Sequence, residues 1–271
     1  MPAIQLARLN DELSHLLTFF DQPADFTRVL QELLEKYAAW SFRPGEVTRR
    51  HLQVAQYHSP ALVMQKLAQA IKPACEKEPQ NALALADLLW GNQYYEMRLV
   101  AARILNCLPL SCVEEVVTRM QNWVNSNENQ YLVAMLLEVG GARLRTLSYE
   151  KWLELMQGWM DDEHSDMRRF GLRAALVSIK DRDFRYLPNI FQMVTLSFLK
   201  AQHDFRPLLH EILEALIERS PVETSFFLRQ LLLRQPAQET KRIIRKNLVG
   251  LPADVQRELR DLLSEQPDNE S

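Results

Sequence analysis

A short frame recurs along this chain at the spacing of stacked helix pairs. Residues 96 to 103 read EMRLVAAR and residues 166 to 173 read DMRRFGLR: an acid, a methionine, an arginine, and a second arginine five positions after the first. The acid-led frame returns at Glu128 (ENQYLVAM), Asp204 (DFRPLLHE) and Glu239 (ETKRIIRK), so five copies follow at intervals of 32, 38, 38 and 35 residues. That period is one helix-turn-helix unit of a repeat protein, in which each unit buries its apolar face only against its neighbours.

Within a copy the apolar residues keep helical spacing. Met97, Val100, Ala101, Ile104 and Leu108 share a face with Leu99 opposite, while Met167, Phe170, Gly171 and Ala174 form the main face of the third copy and Leu172, Ala175 and Ile179 a second. A helix that is apolar on two sides must be packed on two sides. The stretches between copies, VEEVVTRMQNWV, YEKWLELMQGWM, FRYLPNIFQMVTLSFL and PVETSFFLRQLLLR, read as partner helices, joined by the short polar breaks SNEN, DDEHS and RQPAQ. Only seven glycines occur in 271 residues, which also favours helices. The expected fold is all-α, a right-handed α-α superhelix of the HEAT/armadillo-like solenoid type. It forms one domain over residues 1–264, with capping helices over 1–90, regular repeats over 91–264 and a disordered tail over 265–271.

Charge and cysteine content narrow the function classes. With 32 basic against 35 acidic residues there is no global cationic excess, so any nucleic-acid surface must be local. Cys75, Cys107 and Cys112 show no CxxC spacing and read as reduced core thiols. The opening MPAIQLARLNDELSHLL is broken by Arg8, Asp11 and Glu12 and does not read as a secretory signal, and no apolar run is long enough to span a membrane. A cytoplasmic protein is expected. His51 and His58 lack a third ligand, and no Gly-rich phosphate loop occurs, so neither a metal nor a cofactor is implied. His164, Ser165 and Asp166 adjoin one another, as residues that cap a helix do.

Stacking turns the third frame position into a column: Arg98, Gln130, Arg168, Arg206 and Lys241. An exposed cation in the first turn of a helix costs about 0.3–1 kcal/mol against the macrodipole, so something must offset it. Either each base pairs with an acid of the next repeat, as a structural ladder, or the column meets a phosphate backbone. Arg169, Arg173, Arg242, Arg245 and Lys246 add to the basic content around the third and fifth copies.

The ordered segments LADLLWGNQYYEMRLVAARIL, QNWVNSN and DDEHSDMRRFGLRAAL resemble the bacterial DNA alkylation repair family, HEAT-like solenoids that include alkylpurine DNA glycosylases. The likeness extends over roughly residues 40–250, with FRPGEVTRRHLQVAQ similar to the family's N-terminal Gly-containing segment. The resemblance implies a concave basic groove for double-stranded DNA, with a tryptophan, a carboxylate and an arginine acting on a cationic alkylated purine. An aromatic face would stabilise the cation, and a carboxylate the charge developing on the sugar. By this resemblance the tryptophan falls on Trp123, the arginine on Arg168, a second aromatic on or near Glu214, and the catalytic aspartate on Asn127. Asparagine is neutral and cannot act as a base. Glu128 is the neighbouring substitute, or else it caps its helix.

The expectation is therefore a DNA-binding HEAT-like protein that recognises damaged or distorted duplex through Trp123, Arg98, Arg168, Arg206, Lys241, Arg242 and Arg245, with its glycosylase activity in question at Asn127. The alternatives are a protein-protein interaction scaffold, and a working glycosylase that uses Glu128. A monomer is the default assembly.

Overall fold

The computed structural model describes residues 4–38 and 54–264. Most of the FRPGEVTRRHLQVAQ segment, His51 and the expected tail 265–271 lie outside the described residues. Among the described residues the chain has fifteen α-helices and no strand, so the expected all-α fold is found. It separates into two compact units, one ending at Trp152 and one starting at Leu153.

The first unit holds α1 (Leu6–Leu17), α2 (Pro23–Ala38), α3 (Ala61–Lys77), α4 (Pro79–Trp90), α5 (Tyr95–Cys107), α6 (Val113–Trp123), α7 (Gln130–Met135), α8 (Ala142–Leu147) and the start of α9 (Tyr149–Met160). The second holds α10 (Ser165–Lys180), α11 (Leu187–Leu199), α12 (Arg206–Arg219), α13 (Pro221–Leu233), α14 (Gln238–Asn247) and α15 (Ala253–Ser264). In each unit a helix packs on the next and on the next but one: α3 on α4 and α5, α12 on α13 and α14. That is the contact pattern of stacked helix pairs, and it explains the breadth of the apolar faces. The inner helix α12 buries Leu208, Leu209, Ile212, Leu213, Ala215, Leu216 and Ile217, whereas α1 buries only the stripe Leu9, Leu13 and Leu16.

Every frame copy opens a helix or lies in the turn just before one, and its sixth position points inward. Ala101, Val133, Leu209 and Ile244 are fully buried, and Gly171 is buried at the same position of α10. Glycine is needed there because a Cβ would lie 2.6 Å from Met160 Cγ and 2.9 Å from the Met160 backbone nitrogen. Five helices, α2, α4, α11, α12 and α13, begin with proline in the first two positions, where its missing N–H is no loss.

Two arginines hold backbone that the helices leave unpaired. Between α7 and α8, residues Leu136–Gly140 form a π-turn, and the buried Arg145 side chain folds back to donate to the carbonyls of Leu137 (2.6 Å) and Glu138 (3.1 Å). Its guanidinium lies 5.5 Å over the ring of Trp152. At the end of α10, Arg219 donates to the carbonyls of Ser178 (3.1 Å) and Ile179 (2.6 Å) and to those of Asp181 and Phe184. Carbonyls at a helix C-terminus otherwise lack donors. Burial holds the Arg219 guanidinium below its ordinary range.

Candidate nucleic-acid interface

The frame's acids and bases are put to different uses from copy to copy. Arg98 of the first copy donates to Glu128 of the second at 2.9 Å, and Arg206 of the fourth lies 3.4 Å from Glu239 of the fifth. These two pairs form rungs from one repeat to the next. Glu96 does something else: buried at 5% exposure, it accepts the backbone N–H groups of Tyr57 (3.0 Å) and Ser59 (3.3 Å) and so ties that segment to the start of α5. Arg168 donates to the carbonyls of Asp162 (3.0 Å) and Glu163 (2.7 Å) in the turn before its own helix, and lies 5.9 Å over the ring of Phe205. Gln130 is exposed, whereas Lys241 is buried with the core of its unit.

Of the residues at the expected reaction centre, Trp123, Asn127 and Glu128 lie in the first unit, where Trp123 is one of a pair of stacked rings. Trp123, at the last position of α6, is 8% exposed and lies 4.7 Å from Trp90 with the two rings only 5° from parallel. The Arg98 guanidinium sits 5.3 Å over the Trp90 ring. Asn127 is exposed in the turn after α6, its backbone N–H donating to Asn125 Oδ1 at 3.1 Å. Glu128 has both oxygens engaged: Oε2 with Arg98, and Oε1 with the backbone N–H of Asn129 at 2.9 Å. Among the residues read from sequence, the structure thus joins Arg98, Glu128 and Trp123 through Trp90, which the sequence analysis left out. Its signal was present in LADLLWGNQYYEMR, where Trp90 stands eight residues before Arg98.

The cationic cleft lies in the second unit. A cleft of about 500 Å³ between α12 and α14 is lined by Arg206, Pro207, His210, Arg242, Ile243 and Lys246. Arg242 also reaches Glu239, at 2.7 Å, while Arg245 is exposed on α14 outside the lining. His210 was missed from sequence, although its place one turn after Arg206 puts both on one side of α12. Its Nδ1 lies 3.4 Å from Glu214, the position read as the second aromatic, and its Nε2 is buried without a hydrogen-bond partner. Elsewhere, the His164 backbone N–H donates to Asp162 at 2.8 Å and holds that carboxyl below the usual range, as in a capped turn rather than a catalytic triad. Burial pushes the Cys75 thiol up to about 12, too high for a nucleophile at neutral pH. Among the described residues no group of three or more His, Cys, Asp or Glu side chains is placed to hold a metal ion, and no helix is long and apolar enough to cross a membrane.

A family model described as DNA alkylation repair enzyme matches residues 60–220, more than half of the chain. The chain belongs to this DNA alkylation repair family. The match takes in α3 to α12, including the ring stack of Trp90 and Trp123 and the Arg206 and His210 wall of the cleft, and it stops before α14. Comparison with curated proteins and with solved structures returned no match.

Proposed function

We propose that this member of the DNA alkylation repair family binds damaged or distorted duplex DNA in the cytoplasm and does not cleave the glycosidic bond. One observation carries the second half. Where the family resemblance places a tryptophan and an aspartate, Trp123 has its ring stacked on Trp90, position 127 is a neutral asparagine, and the adjacent Glu128 is paired with Arg98. Neither an open aromatic face nor a free carboxylate is left to stabilise an oxocarbenium-like charge. Family membership supports the first half, together with the cations of α12 and α14. Three free cysteines suit a reducing compartment. The test combines equilibrium binding with base release. The protein should bind an alkylated duplex more tightly than an unmodified one, with affinity falling steeply with salt, and should release no alkylated purine above the uncatalysed rate. Base release that is lost in Glu128→Gln would sink the non-cleaving half, and absence of duplex binding at low salt would sink the other.

A second reading has its own observation. Val222, Phe226 and Leu233 lie on one side of α13 at 76%, 61% and 65% exposure, an apolar stripe of the kind a protein partner covers. A partner retained from nuclease-treated extract by the wild type and lost with Phe226→Ser is the result expected of a scaffold; retention unchanged by that substitution counts against it.

A further inference from the structure

We infer that the cleft between α12 and α14 is a phosphate clamp, which takes one phosphodiester of a nucleic-acid backbone together with its sugar. The inference rests on the duplex-binding reading above and gives it a place. Two helices each contribute a basic pair one turn apart: Arg206 and His210 from α12, Arg242 and Lys246 from α14. Residues four apart on a helix are neighbours on one face, so the four groups converge from two walls.

The charge on these walls is under-compensated. Arg206 and Arg242 share a single carboxylate, Glu239, whose Oε2 is 3.4 Å from one guanidinium and whose Oε1 is 2.7 Å from the other. At 17% side-chain exposure Glu239 sits below the surface, where it holds the two forks in place while leaving them a net positive charge. Lys246 has no ion pair among the described residues. His210 lines the same wall as Arg206, with its Nδ1 3.4 Å from Glu214 and its buried Nε2 without a hydrogen-bond partner. Preorganised guanidinium forks match the oxygens of a phosphate, which accepts several donors at once. Pro207 and Ile243 give the cleft an apolar surface, and its volume of about 500 Å³ exceeds what a bare ion fills, so a sugar has somewhere to pack. Because α14 lies beyond residue 220, half of the clamp stands outside the matched segment.

The test uses the full chain and a short unmodified fluorescein-labelled duplex. Arg242, with 57% of its side chain exposed, and Lys246 can be truncated without opening the core. Arg242→Ala and Lys246→Ala should each weaken binding by about fivefold, and the double variant should lower the slope of log affinity against log salt by about 1. Arg245→Ala removes a charge from the same helix outside the cleft and should change affinity by less than about twofold. Glu239→Gln keeps the shape and frees both guanidiniums, so binding should tighten. If Arg242→Ala and Lys246→Ala leave affinity and slope unchanged, or if Arg245→Ala costs as much as they do, the clamp is overturned while duplex binding stands. If the wild type binds no duplex at low salt, both fall. Displacement of the duplex by inorganic phosphate, where chloride of equal ionic strength does not displace it, assigns the cleft to free phosphate and overturns the backbone assignment.

Discussion

Replacing Trp152 by alanine should lower the unfolding free energy by about 3–5 kcal/mol, the usual cost of emptying a large aromatic site. Trp152 is fully buried. Its ring is fitted to the backbone beside it, because a Cβ on Gly141 would lie 2.6 Å from Trp152 Cζ3. Its face also supports the Arg145 guanidinium, which satisfies two carbonyls of the π-turn. Truncation therefore leaves a cavity and also loosens the group that holds Leu136–Gly140 in an irregular winding. Denaturant titration followed by circular dichroism measures the loss, and Trp152→Phe should recover part of it by keeping a ring beneath Arg145. A cost below about 1 kcal/mol for the alanine variant would show that the ring is not a core element.

Arg98→Ala should cost about 2–4 kcal/mol, with a coupling of about 1–3 kcal/mol to Glu128→Ala in a double-mutant cycle. The pair is largely removed from water, with side-chain exposures of 18% and 15%. Losing one member leaves the other's charge poorly compensated, which costs more than the pair itself contributes. Arg98 also donates to the Asn92 carbonyl at 2.7 Å and covers the Trp90 ring, so the single substitution should exceed the coupling. Thermal and denaturant melts of the four proteins in the cycle give the coupling directly. A value near zero would mean that Arg98 and Glu128 are independent surface charges, and would return Arg98 to the residues free to meet phosphate.

The arginine column shows how far a local pattern reaches. Helical spacing predicted from the frame agrees with α5, α10, α12 and α14, and the sixth position proves to be the inward one in all five copies. The third position does not meet the same kind of partner in every copy. Arg98 and Arg206 are rungs, Arg168 holds the turn before its own helix, and Lys241 is buried. A regular sequence column does not require a regular use.

The same distinction divides the site. The sequence alone determined the helices, their repeat length, the inward faces and the family resemblance, because these depend on the 3.6-residue period and on residue identities within a segment. Tertiary structure decided what each polar or aromatic side chain meets. Glu128 is occupied by an arginine thirty residues away, Trp123 by Trp90, and His210 faces a cleft completed by Arg242 and Lys246 from another helix. Periodicity specifies which way a side chain points, whereas its partner is set by the packing of helices distant in sequence. A charge becomes a rung or a clamp only when that packing is made.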